Sequence, residues 1–346
     1  MPWPTWPVPE CRRSQASPRT TSGPTGTPAD SSSASSVTKC GPDPSQARPE
    51  SEESPVVSTE SDAGAEEPAN TLIEPPFVPG FVGPKPGHYP NASDYEADVE
   101  ALILRTCAEV SVRILTVDGF ASISLRNKWA NEAWDLANDA TRIQGKPHKR
   151  YRLTENIEKL TSARGSLARN KVLKAFRPHF ADHYKFTEIE ADDPDADVTI
   201  AANRVKSQNL IKNSAFHYQV PETLTGFGEN GFFALARGNT LASSVSKFRS
   251  SFDPLPAPYL ALEFCVLEHL ASEWSTGTFV AAKFRQKEMK ERYLKHLEDI
   301  NKWCEGDPEG TKKIRAGWFE SAIARKPGPR QADEDEEGTV EDALAA

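Results

Sequence analysis

The sequence has few cysteines and no long apolar segment. Its 346 residues include five cysteines, none of which lies two residues from another: Cys11, Cys40, Cys107, Cys265 and Cys304. This spacing excludes a disulfide framework and a zinc knuckle, and it favours a reducing, intracellular compartment, nuclear or cytoplasmic. No stretch of about 20 predominantly apolar residues is present, so we expect no membrane-spanning helix and no membrane partner. The first residues lack the charge and apolar core of a secretory signal, so we expect no secretion.

Signatures of common catalytic machinery are also missing. The sequence contains no GxSxG nucleophile motif, and none of its cysteines has an obvious base nearby. Gly226, Gly228 and Gly231 do not match a phosphate-binding fingerprint and are typical of turns. These absences predict no cofactor and favour a non-catalytic protein over an enzyme.

Proline and charge are distributed unevenly along the chain. Residues 1–90 are rich in Pro, Ser, Thr, Gly and Glu, and residues 326–346 contain seven acidic and two basic side chains. Neither segment has the periodic apolar residues that would offset the entropy lost on ordering. We therefore predict two disordered tails, 1–90 and 326–346, around one helical domain at 91–325. Two islands in the first tail, Trp3 with Trp6 and Ile73–Pro84, suggest either docking to an aromatic-lined groove or, as we favour for the second, packing along the domain edge.

The most apolar stretch of the chain runs from Ser250 to Gly277. Apolar residues recur there at helical spacing, and much of the remaining helix surface is apolar too, so the pattern predicts a buried central helix at about 259–275. A more polar helix, Phe284–Trp303, follows, and we expect the two to form a hairpin. The glutamates at 263, 268 and 273 lie five residues apart, which favours pairing with basic side chains or solvent over a shared carboxylate site.

The rest of the domain also has helical periodicity. Patterns predict helices from about Ser93 to Val117, with a Ser93/Glu96 capping box, and from Ser122 to Thr141 with an apolar stripe that includes Leu136. A long third helix follows Thr154 and is expected to kink or break at Pro178. Further helices are expected at about 197–212 and 308–325. With no alternation of strands and helices, the fold class is predicted to be all-α, a single multi-helix domain around the central helix.

Two segments carry the strongest resemblance to known proteins, RILTVDGF from Arg113 and FDPLPAPYLALEFCVLEHLASEWSTG from Phe252. With the polar helix that follows, they resemble an uncharacterised domain-of-unknown-function family abundant in mushroom-forming fungi. The resemblance covers roughly Ser93–Arg325. It implies a fungal source and a helical domain, and it implies no activity, ligand or catalytic residue.

A basic segment gives the clearest functional pattern. Residues 142–177 contain 11 Lys and Arg but only Glu155 and Glu158 as acids. Lys146, Lys149, Arg150, Arg152 and Lys171 are therefore candidate contacts for nucleic acid or another anion, and Tyr151 is a candidate for base stacking. The helical bases do not form one stripe, however, so we favour charge pairing with the acidic loop 188–197 or with the tails.

A histidine pair is the most enzyme-like feature. His179 and His183 are four residues apart on a predicted helix, a spacing that lets two imidazoles reach one metal. No third ligand is identifiable, and both residues continue the apolar side of the helix, so packing is the preferred interpretation and no metal site is assigned.

The leading hypothesis is a non-catalytic intracellular helical module that binds a protein partner. A nuclear, nucleic-acid-associated protein using segment 142–177 is the second interpretation. A metal-dependent enzyme using His179 and His183 is the third. Neither the identity of the partner nor the oligomeric state follows from the sequence.

Overall fold

The computed structural model describes residues 72–84, 88–141, 149–190, 192, 194–212, 214–228, 231–241 and 246–324. Most of the predicted N-terminal tail, with Trp3 and Trp6, and the predicted C-terminal tail lie outside these residues. Lys146 lies outside them as well.

The described part of the chain is mostly helical, which confirms the predicted fold class. Its α-helices are α1 (Ala97–Thr116), α2 (Ile123–Ala140), α3 (Glu155–Ser162), α4 (Arg164–Tyr184), α5 (Ala196–Ile211), α6 (Gly231–Leu241), α7 (Ala257–Ser272), α8 (Gln286–Gly306) and α9 (Pro308–Ala324). Within the described ranges, no helix combines the length and apolar content that crossing a bilayer requires.

Helix α7 is the centre of the fold, as its sequence predicts. Pro256 is its N-cap residue and 12 of its 16 residues are buried. A helix that is apolar on nearly all sides must be covered on all sides, and α1, α4, α5 and α8 pack around it. Its side chains form the middle of the larger of two hydrophobic clusters.

Helices α7 and α8 form the predicted hairpin. Glu273 contacts Ala282 next to the connecting loop, and Cys265 contacts Met289 further along. Phe264 meets His296 deeper in the hairpin. As the residue number falls along α7, that of its contact on α8 rises, so the two helices are antiparallel.

A smaller cluster forms where the N-terminal half of α1 meets α2 and α3. It contains Tyr95, Val99, Trp134, Tyr151 and Ile157. Helix α2 contributes to both clusters, with Trp129 in the larger and Trp134 in the smaller. Because its buried face is divided between the two, Leu136 lies outside both and is 56% exposed. The predicted stripe is therefore confirmed at Trp129 and Ala133, which are buried, and wrong at Leu136 and Ala140, which are exposed.

Three local predictions also need correction. The predicted Ser93/Glu96 capping box is instead formed by Asn91 and Asp94, on a 3-10 turn at Ala92–Asp94 before α1. The predicted long third helix is two helices, α3 and α4, separated at Ala163. Pro178 lies inside α4, which continues to Tyr184, so the predicted break at this residue is wrong. Lys185, in the left-handed conformation, caps the helix instead.

Four short strands were not predicted. β1 (Leu72–Ile73) pairs in parallel with β2 (Arg150–Tyr151), and β3 (Tyr218–Val220) pairs antiparallel with β4 (Thr225–Phe227). Strand β1 begins a segment that packs along the edge of the helical domain, as favoured for the second island. The described residues 72–84 therefore include packed chain inside the segment 1–90 that was expected to be a tail.

Candidate functional site

The candidate nucleic-acid contacts do not form one charged surface. Lys149 and Arg152 are exposed, whereas Arg150 lies 3.3 Å from Asp135 and 3.6 Å from Asp139. Lys171 is partly buried and has interactions of its own on α4. The structure therefore leaves only two of these side chains pointing freely to solvent among those it describes.

Three other bases of the segment make contacts within the fold, whereas Lys174 is exposed. Lys159 forms an ion pair with Glu155 on α3, and Arg177 reaches Glu273 at 2.5 Å. Arg169 is buried and donates to the Gly119 carbonyl at 3.0 Å. Burial, followed by the charge of Arg126, lowers the pKa of Arg169 to about 10. The ion-pair partners found for Arg150, Lys159 and Arg177 lie on α2, α3 and α7, not in the acidic loop 188–197.

Tyr151 is a structural residue, and its predicted stacking role is wrong. Its ring is 5% exposed and belongs to the smaller cluster. Its hydroxyl donates to Asp98, and its carbonyl accepts from Trp134 Nε1 at 2.8 Å. Burial and the neighbouring Asp98 raise the pKa of Tyr151 to about 12. A nucleotide could reach this ring only if α1 and α2 separated.

The two histidines lie in the wall of an open depression between the end of α4 and the start of α6. The depression has a volume of about 410 Å³ and is lined by His179, Asp182, His183, Lys185, Gly231, Phe232 and Leu235. The His183 ring lies parallel to the Phe232 ring, with centroids 5.0 Å apart and an interplanar angle of 11°. The depression is therefore lined by apolar side chains, two imidazoles, and one exposed acid and one exposed base, Asp182 and Lys185.

The histidine pair does not form a metal centre with its neighbours. Among the residues described, no three His, Cys, Asp or Glu side chains are arranged to hold a metal ion. Burial, with a smaller contribution from Lys185, lowers the pKa of His183, so its ring is neutral at pH 7. A neutral imidazole stacked on a phenyl ring offers a flat, weakly polar surface, which suits an apolar or aromatic group.

The sequence pattern identified the histidines but missed Phe232 and Leu235. The glycines of GFGENGFF indicate turns, and the region is expected to contain one short helix without defined bounds; α6 begins at Gly231. Phe232, Leu235 and Ala236 recur at spacings of three and four, which is the helical signal that could have located α6.

The three glutamates of α7 each pair with basic side chains, which confirms that prediction. Glu263 binds Arg237, Glu268 accepts from His296 at 2.9 Å, and Glu273 accepts from Arg177. Arg292 lies 3.6 Å from Glu268.

Cys265 lies on the same helix as Glu263 and Glu268, but burial, with the charge of Glu268, raises the pKa of its thiol to about 12. A thiol protonated at neutral pH is a poor nucleophile.

Glu273 joins three parts of the fold. Its carboxylate accepts from Arg177 of α4 and, at 3.0 Å, from the Ala282 N–H of the loop before α8. His269 Nε2 lies 3.5 Å away on α7 itself. Burial alone would raise the pKa of Glu273, but His269, the Ala282 N–H and Arg177 together hold it below its ordinary value. This carboxylate fixes the loop at the base of the α7–α8 hairpin through Oε1, whereas its buried Oε2 has no hydrogen-bond partner among the described residues.

Comparison with known proteins identifies the domain without giving it an activity. No curated protein and no solved structure matches the chain. One family, described as a domain of unknown function, matches residues 105–303, which is more than half of the chain and includes α7 and nearly all of α8. The matched region also includes the depression between α4 and α6. The chain therefore belongs to the DUF6532 family.

Proposed function

We propose that the chain is a non-catalytic helical module that binds a protein partner by taking an apolar side chain of that partner into the depression between α4 and α6. The observation that carries this proposal is the composition of the depression. Phe232 and Leu235 line it, and His183 stacks on Phe232. We also propose an intracellular location, on the cysteine content of the sequence.

The size and openness of the depression fit a side chain better than a buried cofactor. A volume of about 410 Å³ is at the small end of the range for ligand pockets, about 300–1,000 Å³. Asp182 and Lys185, which line it, are exposed, so the site opens to solvent. Protein interfaces commonly place one aromatic or aliphatic anchor in such a pocket and surround it with polar groups. One negative and one positive side chain beside the depression would orient a partner, and their opposite charges would not attract anions in general.

A peptide selection tests this proposal with the full chain. Peptides displayed on phage would be selected on the wild type and counter-selected on Leu235→Glu, which places a charge in the lining of the depression. We expect enriched peptides that share one aromatic or aliphatic anchor residue. Their affinity, measured by fluorescence anisotropy, should fall at least tenfold on Leu235→Glu and on His183→Ala.

The matched control is Leu294→Glu. Leu294 is 50% exposed on α8, so the same substitution introduces the same charge outside the depression. Peptides that bind Leu294→Glu as tightly as the wild type, and lose binding to Leu235→Glu, would support the proposal. If the selection enriches no peptide, or if the enriched peptides bind Leu235→Glu unchanged, the depression is not a protein-binding site.

A further inference from the structure

The segment before the helical domain is bound to it as a peptide would be. Residues 72–82, named the strap, begin with β1 and run past the N-terminus of α1. Three main-chain hydrogen bonds follow β1 along the strap. Arg152 N–H donates to the Ile73 carbonyl at 2.9 Å, Glu96 N–H to the Pro76 carbonyl at 3.1 Å, and Val78 N–H to the Asp94 carbonyl at 2.9 Å.

The strap contributes few side chains to the core. Pro75 is buried, but Leu72 is 55% exposed, Phe77 is 39% exposed and Val82 is fully exposed. The strap also lies outside residues 105–303, the region that matches the family. The strap is therefore held by main-chain hydrogen bonds as well as by side chains, as an extended peptide is when it docks beside a strand.

The strap lies on a surface named the groove, which holds the stacked Phe77 and the buried Pro75. The groove is formed by Asp94, Tyr95, Glu96, Arg152, Thr154 and Asn156. The Phe77 ring stacks on Tyr95 with centroids 4.5 Å apart and on Phe81 of the strap at 4.7 Å. Beside it lies a cavity of about 300 Å³, lined by Glu74, Pro75, Pro76, Phe77, Tyr95, Thr154 and Asn156. Prolines hold a peptide extended before binding and so reduce the entropy lost on docking. An aromatic residue directly after two prolines then supplies the anchor.

We propose that the groove is a binding site for an extended Pro-Pro-aromatic segment of a partner protein, and that the strap is its tethered resident ligand. The strap itself shows which peptide chemistry fits. The proposal does not depend on the function assigned to the depression, which lies between α4 and α6 and shares no residue with the groove.

A tethered ligand lowers the affinity that an outside peptide shows. Short flexible tethers give effective concentrations in the millimolar range, so a strap with an intrinsic Kd of about 0.1 mM would be docked in roughly ten of eleven molecules. A peptide in trans would then bind about tenfold more weakly than to an empty groove. Loosening the strap should therefore increase the affinity for the peptide, whereas damaging the groove should abolish it.

The test uses the full chain and a fluorescein-labelled peptide with the sequence of residues 72–84, LIEPPFVPGFVGP. In the strap variant, Pro75→Ala and Phe77→Ala remove the two side chains held in the groove. We expect it to bind the peptide at least fivefold more tightly than the wild type does. Val82→Ala, at a fully exposed strap position, is the control and should match the wild type. A scrambled peptide should not bind.

Glu96→Pro tests the groove without disturbing the core. Residue 96 has φ −58° and ψ 152°, which suit proline, and its N–H is the donor to the Pro76 carbonyl. Added to the strap variant, Glu96→Pro should abolish peptide binding, whereas Glu96→Ala, which keeps the N–H, should not.

Hydrogen exchange at the Arg152 and Glu96 amides shows whether the strap has left the groove, and this decides how the peptide-binding result is interpreted. If the Arg152 and Glu96 amides lose protection in the strap variant and the peptide still does not bind, the proposal is wrong. If those amides stay protected, a protease site replacing residues 85–87 would be cleaved in the full chain. Exchange of the cleaved strap for labelled peptide would then support the proposal. A strap that never exchanges, or whose loss unfolds the chain, would show that it is a fixed part of the domain.

Discussion

The Arg237 guanidinium and the Glu263 carboxylate form a bidentate ion pair inside the core. Arg237 Nε lies 2.9 Å from Glu263 Oε1, and Arg237 Nη2 lies 2.8 Å from Glu263 Oε2. Neither residue is more than 1% exposed. The guanidinium also lies over the rings of Phe233 and Trp318. This pair connects α6, which lines the depression, to the central helix α7.

Removing the cation alone should destabilise the fold strongly. Arg237→Met leaves the Glu263 carboxylate buried without a partner, and breaking a buried pair in this way costs about 3–5 kcal/mol of unfolding free energy. The double variant Arg237→Met, Glu263→Leu should recover most of that loss, because it removes both charges. Urea denaturation of the wild type and both variants measures the difference. A loss below about 1 kcal/mol for Arg237→Met would show that water reaches the carboxylate.

The same variant should acquire a pH dependence. Burial raises the pKa of Glu263 even though Arg237 opposes the shift, so loss of Arg237 should raise it further. A carboxyl group with a raised folded pKa binds its proton more tightly in the folded state, and the stability it contributes is lost as the pH rises. The destabilisation of Arg237→Met should therefore be smallest near pH 4 and grow towards pH 7.

The central helix could be predicted from sequence because its signal is local. The apolar spacing of residues 259–275 and the prolines before them define α7 without knowledge of any partner. The sequence predicts that Glu263 pairs with a basic side chain but does not identify Arg237. Arg237 lies 26 residues away, on a helix whose pattern is interrupted by neighbouring glycines. The depression could not be predicted at all, since it depends on where α4 and α6 meet. Tyr151 is an example of a local pattern that misleads. Its basic neighbours predict an exposed ring that stacks on bases, whereas the residue is buried.

Gly277 should be irreplaceable, and Gly80 offers a matched comparison. Both have positive φ, +94° and +88°, so a side chain is strained at either position by roughly 1–2 kcal/mol. A Cβ at Gly277 would lie 2.2 Å from the Ile200 carbonyl oxygen of α5, whereas a Cβ at Gly80 would meet nothing within 4 Å. We expect Gly277→Ala to lower the unfolding free energy at least twice as much as Gly80→Ala. Equal losses in thermal or urea unfolding would mean that α5 can move away from the loop.

His217 should make the fold sensitive to mild acid. Its ring lies against Phe264 at 3.7 Å between centroids and near Phe216, Phe227 and His296, and its Nε2 has no hydrogen-bond partner among the described residues. Burial, with a smaller effect of His296, lowers the pKa of His217 well below 6.5. The unfolded chain takes up a proton below that pH and the folded chain does not. The stability contributed by the neutral ring is therefore present above pH 6.5 and lost below it, by up to about 1.4 kcal/mol per pH unit.

The variant His217→Phe should remove this loss between pH 6.5 and pH 5. The neighbouring Glu268, Arg292 and His296 remain in place, so the two chains differ only at residue 217. His88→Phe, at an exposed position, is the control and should keep the wild-type slope. If His217→Phe keeps that slope as well, the acid sensitivity arises elsewhere in the fold.

The basic segment should bind nucleic acid only weakly and without a defined surface. Lys149 and Arg152 are exposed, but Arg150, Lys159 and Arg177 pair with carboxylates on three different helices. Affinity for a phosphate backbone falls with salt in proportion to the number of phosphates contacted, so few free bases give a shallow dependence. We expect the full chain to bind duplex and single-stranded DNA and RNA no more tightly than non-specific proteins do, with Kd of about 10⁻⁴–10⁻⁶ M at physiological salt.

The decisive comparison is between two double charge reversals. Lys149→Glu with Arg152→Glu changes two exposed bases beside β2, and Lys287→Glu with Lys290→Glu changes two exposed bases on α8. If binding depends only on net charge, both pairs should weaken it equally, because each removes the same charge from the chain. A loss confined to Lys149→Glu with Arg152→Glu, together with a steep salt dependence, would locate a nucleic-acid surface there. That result would favour the nucleic-acid-associated, nuclear interpretation over protein binding. Because two bases alone would give a shallow salt dependence, further bases near residue 146 would then have to contact phosphates as well.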